Sequence, residues 1–63
     1  MCESNVYLYN GEHGEELFLE KVDKIIPQAD ELFMENIFGE RKTIKARIKE
    51  MTLVDHRIVL EKI

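Results

Sequence analysis

The sequence predicts an all-β fold of five or six short strands, and three observations carry that reading. Residues 44–49 alternate strictly between apolar and cationic side chains, the period of a strand with one buried and one solvated face. The run Val6-Tyr7-Leu8-Tyr9 leads straight into Asn10-Gly11, the usual signature of a strand turning into a hairpin. Turn-forming residues then recur about every 10 residues along the chain, which leaves room for short strands and little else.

The first strand is Val6 to Tyr9, with aliphatic residues at 6 and 8 and tyrosines at 7 and 9. Its turn, Asn10 to Gly14, holds two glycines and His13. A second strand is expected over Glu16 to Val22, bending toward Ile25-Ile26 and stopped at Pro27. Leu17, Val22 and Ile25 would also fit a helix over residues 15–26, but Leu17, Phe18 and Leu19 are consecutive and follow a hairpin signal, which favours a strand. Pro27 to Asp30 reads as a turn.

Glu31 to Ile37 is the third strand, and it echoes the second. Glu16, Leu17, Phe18 and Glu20 recur as Glu31, Leu32, Phe33 and Glu35, while Leu19 and Val22 are matched by Met34 and Ile37. The offset is too short for a solenoid repeat and predicts two strands in equivalent environments, apolar on both faces. Phe38 to Arg41 supplies the next turn. In the fourth strand, Lys42 to Lys49, Ile44, Ala46 and Ile48 face inward, and Lys45, Arg47 and Lys49 face outward. Met51 to Arg57 ends that strand and turns. The last strand, Ile58 to Glu61, points Ile58 and Leu60 inward, with Arg57 and Glu61 outward. An SH3-like or Sm-like barrel, or an open meander, matches this size and strand count, with an OB-like barrel as the alternative. Closing the sheet removes edges that would otherwise aggregate.

The chain has 63 residues and reads as one domain, residues 1–63. So short a chain buries only about 60% of the surface its unfolded form exposes, so its core needs support from a partner subunit, a metal or dense β-pairing. The formal charge of −4 and a pI near 5.1 argue against a general nucleic-acid or anionic-membrane binder, which would be basic. No apolar run of about 18 residues and no cationic segment leading into an apolar one is present, so neither a transmembrane helix nor a signal peptide is expected. A single cysteine fits a reducing compartment. The cytoplasm is the expected location.

That cysteine, Cys2, is the candidate metal ligand. Thiolate is a soft ligand and a nucleophile, and a thiol beside a chain terminus is little shielded. Sulfur and a nearby amine or amide nitrogen from one chain, with the same pair from a second copy, would supply four donors. Such a set in a square plane suits nickel(II) or copper(II), and in a tetrahedron zinc. A single chain cannot provide it, so a dimer is implied. His13 and His56 fall in predicted turns, at no recognisable ligand spacing from Cys2 or from each other. The Lys45, Arg47 and Lys49 face could track a phosphate backbone, with Tyr7, Tyr9 or Phe38 as stacking platforms; this supports an alternative reading as an RNA-binding or protein-adaptor barrel. No phosphate loop, zinc-type cysteine pair or nucleophile with an adjacent base is visible, so no enzyme activity is expected.

Three stretches together carry a family resemblance: residues 1–8, beginning Met1-Cys2-Glu3-Ser4-Asn5; residues 33–40, Phe33-Met34-Glu35-Asn36-Ile37-Phe38-Gly39-Glu40; and residues 44–51, Ile44-Lys45-Ala46-Arg47-Ile48-Lys49-Glu50-Met51. On these the chain resembles the CooT-like family along essentially its whole length, and a cysteine at position 2 also begins the HypC-type hydrogenase maturation chaperones, which are small β-barrels. The resemblance implies a cytoplasmic nickel-binding accessory protein, or metallochaperone, for carbon monoxide dehydrogenase maturation. It further implies a homodimer that holds one nickel(II) ion between two copies of Cys2, with a nickel enzyme or another maturation protein as partner. The same family also carries an older description as RNA-binding.

Overall fold

Strand β1, Ser4–Asn10, and the first part of β2, Gly14–Gln28, form the hairpin that Asn10-Gly11 announces. Asn10 and Gly14 close it as a registered pair, and the Asn10 side-chain oxygen accepts a hydrogen bond from the Glu12 amide at 2.9 Å. This is the local side chain to backbone bond that makes asparagine a turn residue. Gly14 has φ of 77°, a left-handed conformation that glycine adopts without steric cost. The computed structural model describes residues 3–12 and 14–63.

The remaining strands are β3, Glu31–Asn36, β4, Arg41–Thr52, and β5, Arg57–Lys62. β2 pairs antiparallel with β3, β3 with β4, and β4 with β5. β1 is hydrogen-bonded on both sides, antiparallel to β2 and parallel to β5, so the sheet closes on itself. The fold is all-β with five strands.

Long strands shared between neighbours make closure possible with so few elements. The first part of β2 pairs with β1 and its second part, from Val22, with β3. β4 likewise pairs with β3 over residues 41–45 and with β5 over 46–52. A register shift lies in each: between Ser4 and Val6 against β2, and between Ile48 and Glu50 against β5. Such bulges bend a strand and increase its twist, which lets one strand turn a corner between two halves of a small closed sheet.

The sequence stops the second strand at Pro27, whereas β2 runs through it to Gln28, with Pro27 opposite Leu32. Proline lacks an amide hydrogen, so it is tolerated in a strand only where that side needs no ladder bond. The β1 pairing ends at Val22, which leaves the segment around Pro27 with β3 alone.

Val6, Leu19, Val22, Leu32, Met34, Ala46, Ile58 and Leu60 fill the interior, with Leu8, Phe18, Ile25 and Ile44 packed around them. Of the residues predicted to face inward on β4 and β5, Ala46, Ile58 and Leu60 are buried and Ile44 is half-buried against them, whereas Ile48, beside the bulge against β5, is exposed. The two echoing segments are not equivalent. Leu19 and Met34 both reach the core, but Leu17 is exposed where Leu32 is buried. The difference follows from pairing: Leu17 lies on a stretch of β2 with only β1 beside it, opposite the outward-facing Tyr7, while Leu32 lies in β3 between β2 and β4.

Val59 points away from this core and is nonetheless buried. Its cover comes from the outer face. Tyr7 is its register partner on β1, and the Arg57 guanidinium lies 4.6 Å from the centre of the Tyr7 ring.

Candidate metal centre

Cys2, the predicted metal ligand, lies outside the described residues, as does His13. What the structure defines is the place from which Cys2 is tethered. Asn5, three residues further along, is bonded on both sides. Its amide donates to the carbonyl of His56 at 2.9 Å, and its side-chain oxygen accepts from the amide of Lys21 at 3.0 Å.

Lys21 has φ of 53°, in the left-handed region, where a residue with a Cβ carries a steric cost. It sits at the bulge of β2, where the chain leaves its β1 ladder, and the Asn5 side chain meets the amide that the bulge would otherwise leave unpaired. His56 is also left-handed, with φ of 56°, and closes the turn between β4 and β5 through its amide, which donates to Leu53 at 3.3 Å. One asparagine therefore binds the start of β1 to the β2 bulge and to the turn between β4 and β5. Cys2 precedes this anchor by three residues in the sequence.

Next to it lies a second asparagine-centred cluster. Asn36, at the end of β3 and opposite Val22, is the buried polar side chain among the described residues. Its side-chain oxygen accepts from the amides of Phe38 and Glu40, at 3.0 and 2.9 Å, and its side-chain nitrogen donates to the Glu40 carboxylate at 2.7 Å. Backbone bonds between Asn36 and Glu40, and from Gly39 to Asn36, close the same turn, with Gly39 at φ of 84°. Every polar atom of the amide is thus engaged, as burial requires. Sequence reasoning passes over Asn36, although Asn-x-x-Gly at a strand end is a turn signal. The turn leans on the β2 bulge through the Ile37 amide, which donates to the Lys21 carbonyl at 3.0 Å.

The described residues contain no cluster of three or more His, Cys, Asp or Glu side chains able to hold a metal ion. His56 contributes backbone bonds to the turn and is brought into no ligand group among them.

The cationic stripe of β4 faces outward as predicted, and two of its three charges, Arg47 and Lys49, already have partners. Arg47 pairs with Glu61 at 3.3 Å, and the Lys49 ammonium lies 5.1 Å from the centre of the Tyr9 ring. Arg57 covers Tyr7 and pairs with Glu15; that hydrogen bond raises the guanidinium pKa above its ordinary value, so the group stays charged. A cation therefore lies over the ring of each tyrosine offered as a stacking platform. Phe38, the third, stands apart on the turn between β3 and β4.

A family profile described as "CO dehydrogenase accessory protein CooT" matches residues 1–61. The chain belongs to the CooT family. The crystal structure of a protein described as a CooT candidate from Carboxydothermus hydrogenoformans is similar over 98% of both chains, at 58% sequence identity and a TM-score of 0.91. An uncharacterized protein from Archaeoglobus fulgidus is 35% identical over 43 residues, 68% of this chain and 96% of that one. The CooT family is one of accessory proteins, so the chain serves carbon monoxide dehydrogenase in a supporting capacity. No helix among the described residues is long and apolar enough to cross a membrane.

Proposed function

We propose that this protein is a cytoplasmic nickel(II)-binding metallochaperone that acts as a homodimer, with one ion held between the Cys2 thiolates of two protomers. Each protomer is a single SH3-like barrel domain, a reading supported by five strands in a sheet that closes through the β1–β5 pair. It delivers or stores metal for carbon monoxide dehydrogenase and catalyses no reaction itself.

The observation that carries this reading is the double anchoring of Asn5. The only cysteine of the sequence comes three residues ahead of that anchor, in a protein whose described residues offer no metal cluster of their own. A lone thiolate is half of a soft-metal site, and a second copy brings the other half. Thiolate with nitrogen donors fits nickel(II) chemically, and the family's link to carbon monoxide dehydrogenase supports nickel over copper or zinc. A scaffold that supplies few donors also suits a carrier, which must release its cargo. The internal partners of Arg47, Lys49, Tyr7 and Tyr9 favour this reading over RNA binding.

Nickel added to the protein is expected to produce thiolate-to-metal charge-transfer absorption that is lost in Cys2→Ser. Tight nickel binding that survives unchanged in Cys2→Ser would refute the assignment. Because the thiol must lose its proton to bind, apparent affinity falls as the pH falls.

A further inference from the structure

We propose that the free edge of β2, residues 14–20, is a docking site for an extended, basic segment of another protein, which adds to the sheet as one more strand. The inference is independent of the metal reading. From Gly14 to Glu20, β2 is paired with β1 alone, and its pairing with β3 begins only at Val22. At the end of this stretch the Lys21 carbonyl is taken by the Ile37 amide at 3.0 Å. An edge with one neighbour presents backbone amides and carbonyls to a chain extended beside it. The second part of β2 is also one-sided, but it contains Pro27, which has no amide hydrogen to offer an added strand.

Charge selects the occupant. Residues 10–20 hold Glu12, Glu15, Glu16 and Glu20 and no lysine or arginine. Glu15 pairs with Arg57, whereas Glu12, Glu16 and Glu20 are exposed and enter no ion pair among the described residues. A second copy of the same edge would set carboxylates against carboxylates, which is unfavourable between facing strands. A segment bearing lysine or arginine meets opposite charge there. Leu17, among these carboxylates, is 56% exposed and gives an apolar side chain of the added strand a surface to pack on.

A lysine of this chain already binds the edge in that manner. The register with β1 passes from Leu17 to Leu19, so Phe18 has no partner there, and its carbonyl accepts a hydrogen bond from the Lys42 ammonium at 2.8 Å. The same ammonium lies 4.7 Å from the centre of the Phe18 ring. A backbone carbonyl, an aromatic face and carboxylates in one short stretch are the groups that hold an ammonium or a guanidinium.

Titration of the isotope-labelled full chain with a short peptide alternating lysine and valine, followed by amide chemical shifts, tests this. Shifts are expected to concentrate on residues 14–20. Affinity is expected to fall at least about fivefold when Glu16→Lys and Glu20→Lys are combined, since each puts like charges opposite one another. Both positions are exposed, so this variant is expected to keep the wild-type circular dichroism spectrum. The same peptide N-methylated throughout keeps its charges but loses the amide donors of a strand, and is expected to lose binding to the wild-type chain. Shifts centred on another surface, or no binding at all, would overturn the proposal. So would equal binding of the methylated peptide, because charge alone would then hold it. Changes at residues 14–20 that grow with protein concentration in the absence of peptide would also overturn it, because a second copy would then fill the edge.

Discussion

Asn36 and Asn5 do the work that a larger protein would assign to extra secondary structure. Each satisfies backbone amides that a turn or bulge leaves without a ladder partner, and an unmet buried donor costs about 1–3 kcal/mol. Asn36→Ala removes three side-chain hydrogen bonds at once and is expected to lower stability by about 2–3 kcal/mol in urea unfolding. Asn36→Asp should cost less, because the oxygen that accepts from Phe38 and Glu40 remains, although it faces the Glu40 carboxylate. Lys21 makes the opposite case. Its left-handed φ would be met more cheaply by glycine, so Lys21→Gly is expected to raise the unfolding midpoint by the equivalent of about 0.5–1 kcal/mol, and Lys21→Val to lower it. At this scale the sequence was least legible. Asn10-Gly11 shows its turn openly, but nothing local to Lys21 or Asn5 reveals that residues 16 apart share a hydrogen bond.

Strands were easier to read than their neighbours. Alternation over residues 44–49 fixes which face of β4 is buried, because the side-chain period is a property of the strand alone. Which strand lies alongside is a property of topology, and that is why the echo between Glu16–Val22 and Glu31–Ile37 misleads. The two segments have nearly the same pattern, yet Leu17 has a neighbour on one side and Leu32 on both. Leu32→Ala is expected to cost about 2–5 kcal/mol, as for other buried leucines, and Leu17→Ala within about 0.5 kcal/mol of nothing, as for an exposed position. Comparable losses at both sites would show that Leu17 is covered, as it would be by a partner docked on β2. Pro27 teaches a similar lesson: it stops a strand only where its missing amide hydrogen is needed, and beside β3 alone it is not.

For the molecule as a whole, the closed sheet explains how 63 residues hold a fixed shape around a core of few side chains, with Met34, Leu60 and Val6 fully buried at its centre. Strands that bend at bulges and serve two neighbours bring dense β-pairing to a chain too short for a large core. The sequence showed the all-β class and the strand number, because both follow from local pattern; it could not show the parallel β1–β5 pairing that closes the sheet, a contact between the two ends of the chain. Cys2, the proposed ligand, lies outside the described residues, while family membership ties the protein to carbon monoxide dehydrogenase. The scaffold fixes the start of β1, where Asn5 is bonded both to His56 and to Lys21.

The central claim is that one ion joins two chains through Cys2, and native mass spectrometry of the nickel-loaded protein tests it most directly. The account predicts a species of two chains and one nickel ion, absent from Cys2→Ser under the same conditions. One nickel ion on a single chain as the dominant loaded species, or a two-chain, one-nickel species that persists in Cys2→Ser, would contradict it.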